Sequence, residues 1–326
     1  MLKDELGLNE VQARAALGGL AAVVVADGPP RANGARLLAV AAEALGLAAC
    51  GDVPPADAAA IGAAFPTAEA RGAVICALIL GACIEGEVTA RGEAVVVALA
   101  RQLDVRSHWV ELLPALRRRA TFAVKRQLVR RSPDARRIFA RVWAEEGMVG
   151  IFRALLFVMG RYREPALAAR FRALAALAPG TVGRTFFDAL SSQGFAFPGE
   201  RGGMPERMVH HDLMHVINRY GTDAAGECEL AGFYAGFADG DAFTFVMTVL
   251  ATFHLGMKVS PAVVVPAKLA FDPARVLAAY LRGRRLCVDV MGPWDYWALM
   301  PLPIDEAQRR LGLLPEAGRW PTMRRC

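Results

Sequence analysis

Apolar residues recur along this chain at the three- and four-residue spacing of helices, and the alternation that marks a strand is scarce. From Ile138 the stripe runs through Val142, Met148, Ile151, Leu155 and Met159, a core-facing helical pattern that closes at Arg161-Tyr162-Arg163-Glu164-Pro165. Two stretches, 73–84 and 243–257, are almost wholly apolar, yet both fall short of the roughly 18 to 20 residues that a membrane span needs. They predict helix core and no transmembrane segment. Breakers punctuate the pattern. Pro179-Gly180 turns the chain into a helix capped at Thr181, Ser132-Pro133-Asp134 stops one helix and starts another, and 194–203 is a loop rich in Gly and Pro. The expected fold class is all-α.

The first hundred residues repeat. Asp27-Gly28-Pro29-Pro30-Arg31-Ala32-Asn33-Gly34 and the helix after it align, at an offset of 58 residues, with Glu85-Gly86-Glu87-Val88-Thr89-Ala90-Arg91-Gly92 and its helix. Each unit is a helix, an acidic glycine turn and a second helix. This pattern resembles the TerB-like helical domain, and the resemblance implies acidic residues that can gather a divalent cation. Only the second unit keeps Glu85, Glu87 and Glu93, because Pro29 and Ala35 stand at the matching places of the first. We therefore expect a helical interaction module here and no cation site.

Composition agrees with helices: 55% of residues are hydrophobic and only 8% aromatic, with alanine abundant. Six cysteines at 50, 76, 83, 228, 287 and 326 show no CxxC spacing and read as reduced, mostly structural residues. The acidic, core-less first residues predict no targeting peptide and a cytoplasmic protein. Charge is uneven. Residues 1–115 carry net −5, residues 116–164 net +9 and the remainder +2. Such a basic stripe suits an anionic membrane surface, a solvated linker or an acidic partner domain. Nucleic acid is set aside, since no reading motif accompanies the arginines. The expected domains are 1–115, a basic linker at 116–138, and 139–326.

Three of the five histidines, at 210, 211 and 215, fall within six residues. Pro205 before them and Gly221 after them suit the first turn and the left-handed close of a helix. On that helix His211 and His215 share a face, and Asp212 lies about 100° round from His211. Thr222 or Asp223 can cap a second helix, and an antiparallel hairpin through Gly221 brings Glu227 level with the histidines. His211, Asp212, His215 and Glu227 are thus the candidate metal ligands. Two imidazoles and two carboxylates suit zinc first, with iron, cobalt and manganese as alternatives. His210 points away, toward solvent or a local hydrogen bond. Arg219 continues the 211, 215 stripe and is a candidate either for pairing with a substrate carboxylate or for compensating the helix end. His254, in an apolar run, reads as a satisfied core residue.

The HDxxH of His211, Asp212 and His215, followed by eleven residues and Glu227 with Gly226 before it, resembles the signature of the coenzyme Q (ubiquinone) biosynthesis protein 4 family. Residues 177–190 resemble its Pro-Gly-Thr-hydrophobic-Gly segment, and 279–285, Pro293-Trp294-Asp295-Tyr296-Trp297 and 303–313 resemble its tail. The resemblance covers about residues 139–315. It implies a metal-dependent enzyme that removes the carboxylate of a polyprenylated hydroxybenzoate-type ring and hydroxylates that carbon, with Asp212, Glu227 and Arg219 as candidate catalytic residues. It also implies a prenyl-chain tunnel among the small and apolar residues at 232–236, 243–257 and 263–269. Peripheral attachment to the inner face of the membrane, a homo-oligomer and contact with other quinone-biosynthesis proteins are further expectations. The alternatives are a non-catalytic polyprenyl-lipid scaffold and, more weakly, a zinc hydrolase with Asp212 as base.

Overall fold

A computed structural model describes residues 2–47, 54–132, 140, 142–144, 147–148, 162–259 and 267–314. The all-α expectation holds: no strand occurs among the described residues, and Thr181 and Pro303 form one isolated bridge. The chain divides into two compact units that do not follow its order. The first joins Met1–Arg130 to Phe243–Ala278, and the second joins Arg131–Ala242 to Ala279–Cys326.

In the first unit, α1 is Leu2–Glu5, α2 Glu10–Val24, α3 Ala32–Ala44, α4 Ala58–Ala64, α5 Ala68–Cys83, α6 Ala90–Gln102, α7 His108–Arg117 and α8 Thr121–Arg131. Helix α2 opens on a reciprocal capping box between Asn9 and Gln12 and packs against α3, α4, α5 and α6. Helix α5 is apolar around much of its circumference, which suits a central position; Ile75, Leu78 and Ile79 are fully buried. A Cβ on Gly18 of α2 would meet the Pro54 carbonyl, whereas Gly19 and Gly81 face the flexible ends of Ile61 and Leu20.

The repeat is visible in the backbone, since Gly28 and Gly86 both take positive φ. Its two halves differ in capping. Thr89 caps α6 by accepting from the Gly92 N–H at 3.0 Å, whereas Arg31 at the same place before α3 gives no side-chain cap. Instead Glu85 reaches across and accepts from the Gly34 N–H at 2.8 Å. The other acidic groups of the second repeat pair with arginines, Glu87 with Arg31 at 3.1 Å and Glu93 with Arg117 at 2.6 Å. The acidic groups of the second repeat thus cap and pair.

The chain returns to this unit through α13, Phe243–Val249, which runs into a turn of π-helix at Leu250–His254. Phe243 meets the buried Trp109 edge-on, with ring centroids 5.7 Å apart. His254 is wholly buried and satisfied at both nitrogens: Nε2–H donates to the Ile84 carbonyl at 2.7 Å, and Nδ1 accepts from the Phe271 N–H at 3.2 Å. Leu269 lies against Gly86. The bond from His254 to Ile84 spans 170 residues of sequence and ties this segment to the repeat. The basic stretch 116–138 is likewise no separate linker where it is described, because α8 belongs to the first unit up to Arg130.

His254 yields a prediction. Burial, partly opposed by the bond to Ile84 and the charge of Glu85, holds its pKa below the ordinary 6.5. A depressed histidine favours the fold fully above the unfolded pKa and loses that contribution as pH falls below it. Melting curves should therefore show the wild type losing stability from about pH 6.5 downward. His254→Phe should cost roughly 2–4 kcal/mol at pH 7.5, because two buried partners are orphaned, and should flatten the acid loss.

Candidate metal centre

In the second unit, α9 is Pro165–Arg172, α10 Val182–Ser192, α11 Val209–Asn218, α12 Ala224–Phe237 and α15 Ile304–Arg310. Helix α14, Pro273–Gly283, contributes its C-terminal end. Pro205 precedes a turn of 3-10 helix, Glu206–Met208, that leads into α11. The helix then closes earlier than its sequence suggests. Arg219, not Gly221, takes the left-handed conformation, at φ 58°, and the Tyr220 N–H returns to the His215 carbonyl at 3.0 Å.

Asp223 caps α12 by accepting from the Gly226 N–H at 2.9 Å. Gly221 and Gly226 serve close approach rather than φ: a Cβ on Gly226 would fall onto the Gly221 carbonyl. That contact holds the hairpin tight and places Glu227, the next residue, opposite the imidazoles.

His211, His215 and Glu227 converge, each offering a donor atom within 4.8 Å of the other two. Glu227 Oε2 lies 3.5 Å from His211 Nε2, and Oε1 lies 3.3 Å from His215 Nε2. The two imidazoles stand edge to face at 5.1 Å. His215 is only 3% exposed, and neither of its ring nitrogens is hydrogen bonded to a described residue. A buried imidazole left so is costly, and an ion held between it, His211 and Glu227 would fill the missing partner. The donor set fits zinc or a similar divalent transition ion.

Asp212 is not in this cluster. Its Oδ1 instead accepts from Nδ1–H of His211 at 3.1 Å, the carboxylate-to-imidazole arrangement that fixes a ligand's tautomer and orientation. Arg219 also departs from the expected stripe: the left-handed turn swings it out, and its Nη2 pairs with Asp305 at 2.7 Å. His210 is buried and bonds locally to the Arg207 carbonyl at 3.0 Å. Gly236 and Gly283 are occupied by helix contact, since a Cβ on either would strike the backbone of the other helix. Residues 263–266 of the expected tunnel lie outside the described residues, and 243–257 belong to the first unit.

Without an ion the centre is a charged pair. Burial disfavours a charged His211, but hydrogen bonds and charge from Asp212 and Glu227 outweigh it and push the pKa up to about 10. Burial likewise raises Glu227, yet the two imidazoles outweigh it and bring it down to about 2.

Sequence reasoning missed the residues that hold α11 in place. Glu206, at its start, accepts from Tyr296 Oη–H at 2.5 Å and from Trp297 Nε1–H at 3.3 Å. Near its end, Gln308 Nε2 donates to the Ile217 carbonyl at 2.5 Å. The Pro-Gly-Thr segment docks on the same tail, with Val182 N–H bonding Leu302 O at 2.8 Å and Gly183 N–H bonding Met300 O at 2.9 Å. The one available signal was that these segments and the histidines belong to a common resemblance.

No protein-family model and no curated protein matches this chain. Among solved structures it is similar to a Nostoc punctiforme protein provisionally named for ubiquinone biosynthesis, at 15% identity and a TM-score of 0.32 over 75% of this chain and 98% of that one.

Elemental analysis should find one divalent ion in the wild type and little in His215→Ala. Asp212→Asn should still bind, about 10- to 100-fold more weakly, as expected of a residue that orients a ligand. Full ion content in His215→Ala, or none in Asp212→Asn, would reverse these assignments. Glu85→Ala should leave the content unchanged. Because an ion must displace the proton that His211 retains up to about pH 10, affinity should rise with pH through the neutral range, as titration calorimetry in buffers of different ionisation enthalpy would show.

Proposed function

We propose that this chain is a metal-dependent enzyme of ubiquinone biosynthesis, acting on a polyprenylated hydroxybenzoate-type ring. The observation that carries the reading is the convergence of His211, His215 and Glu227, in which the buried His215 imidazole faces the Glu227 carboxylate but makes no hydrogen bond among the described residues. The resemblance of His211-Asp212-x-x-His215, Glu227 and the tail supplies the substrate class.

His211, His215 and Glu227 would hold the ion, leaving further positions for substrate, as an open site requires. When bound, such an ion supplies a Lewis acid for the ring carboxylate and phenol oxygens, and iron or cobalt adds redox capacity. Asp212 keeps the His211 ring turned toward the centre by holding Nδ1–H. Glu227 is ionised at neutral pH and sets negative charge beside both imidazoles. Arg219 has no part in this reading, because its guanidinium pairs with Asp305. In the reaction the bond from ring carbon to carboxylate breaks, carbon dioxide leaves and a C–O bond forms at the same carbon. Water supplies that oxygen, and the two electrons the ring gives up pass to dioxygen, which takes up two protons and leaves as hydrogen peroxide.

Protein loaded with zinc, iron(II) or cobalt(II) should be given a prenylated 4-hydroxybenzoate in air, and carbon dioxide and the hydroxylated ring should be followed. Wild type should turn over with at least one of these ions, and Glu227→Ala should lose at least about a hundredfold, as for removal of a principal electrostatic group. Binding of the lipid without conversion under every ion would overturn the enzyme reading in favour of a lipid-binding scaffold.

A further inference from the structure

Helix α8 carries an unusual outer face. Val124 and Leu128 turn inward and are buried. Phe122, Lys125, Arg126, Val129 and Arg130 are all exposed, and their spacing of three and four residues puts them on one stripe. Phe122 is 80% exposed and Val129 58% exposed. Lys125, Arg126 and Arg130 have no ion-pair partner among the described residues. Two apolar side chains are thus held in water between three uncompensated cations.

We propose that this face of α8 docks on an anionic lipid surface. The cations suit phosphate headgroups, and Phe122 and Val129 suit the boundary between headgroups and acyl chains, where an amphipathic helix lies flat. Charge complementarity selects this occupant over a second copy of the chain, because a twofold contact would set three cations against three. Nucleic acid would satisfy the cations but gives an exposed valine nothing to bury against. Among the described residues no helix is long and apolar enough to cross a membrane, so such attachment would be peripheral. The proposal lies outside the metal centre and does not depend on its chemistry.

The test is sedimentation of the full chain with phosphatidylcholine vesicles, with or without phosphatidylglycerol. Binding should require the anionic lipid and weaken at high salt. Lys125→Gln, Arg126→Gln and Arg130→Gln together should reduce it about a hundredfold, roughly fivefold for each charge near the surface. Phe122→Ser with Val129→Ser should reduce it by at least about tenfold while leaving the thermal melt and ion content of the protein unchanged. Phe122→Trp should show blue-shifted emission, quenched by brominated acyl chains, only with anionic vesicles. Undiminished binding by the triple glutamine variant, an unshifted Phe122→Trp, or retention by DNA without vesicle binding would each overturn the proposal. A chain that binds vesicles yet has no turnover would leave it standing and count only against the enzymatic reading.

Discussion

The structure of the second unit depends on keeping one imidazole buried where the described chain does not satisfy it. His215 is 3% exposed, and both its nitrogens lack a hydrogen bond among the described residues. An unsatisfied buried polar group costs about 1–3 kcal/mol, so packing selected for stability alone would let the ring rotate toward water or a carbonyl. Three constraints hold it. The ring sits on a helix most of whose residues are buried, Leu213, Met214 and Ile217 fully so. The contact of Gly226 with the Gly221 carbonyl fixes α12 so that Glu227 stands 3.3 Å away. His211, turned by Asp212, closes the third side. Cost retained at one point, with opposite charge arranged round it, is what a binding centre requires and a core does not.

The tail explains how a ten-residue helix is held firmly enough for that. Helix α11 is gripped near its start through Glu206 by Tyr296 and Trp297, and near its end through Ile217 and Arg219 by Gln308 and Asp305. Burial, and then the Glu206 carboxylate, raise Tyr296 far above the ordinary phenol range, so it stays protonated and keeps donating. Arg170 lies over Trp297 at 3.7 Å and Phe171 packs beside it at 4.7 Å, bringing α9 to the same anchor. Residues some ninety positions from the ligands thereby govern ligand geometry, and side chains that never touch an ion matter through placement.

What was legible in the sequence and what was not divides along range. The helix pair, its cap at Asp223 and the alignment of Glu227 with His211 and His215 follow from local periodicity and a turn of countable length, and these agree with the structure. Asp212 meets Nδ1 of His211, a pairing that motif spacing does not specify. Arg219 is held left-handed, which costs about 1–2 kcal/mol relative to the right-handed form, and its pair with Asp305 lies 86 residues away, beyond the reach of local spacing. The return of Phe243–Ala278 to the first unit rests on the bond from His254 to Ile84 across 170 residues. No local pattern carries such a pairing, and an apolar run reads alike whichever core receives it.

Two buried histidines in this chain are treated in opposite ways. His254 and His215 are similarly inaccessible, so burial does not distinguish them. His254 has a donor and an acceptor built for it, no carboxylate bonded to its ring, and a pKa held down; it behaves as a polar strut between segments. His215 has neither bond, but it has a carboxylate opposite and a second imidazole at 5.1 Å. The fold is therefore able to satisfy a buried imidazole with its own backbone, and does so for His254. Leaving His215 without described hydrogen-bond partners cannot be put down to a general shortage of backbone partners. The two imidazoles and the carboxylate gathered there form a set that could hold a metal ion.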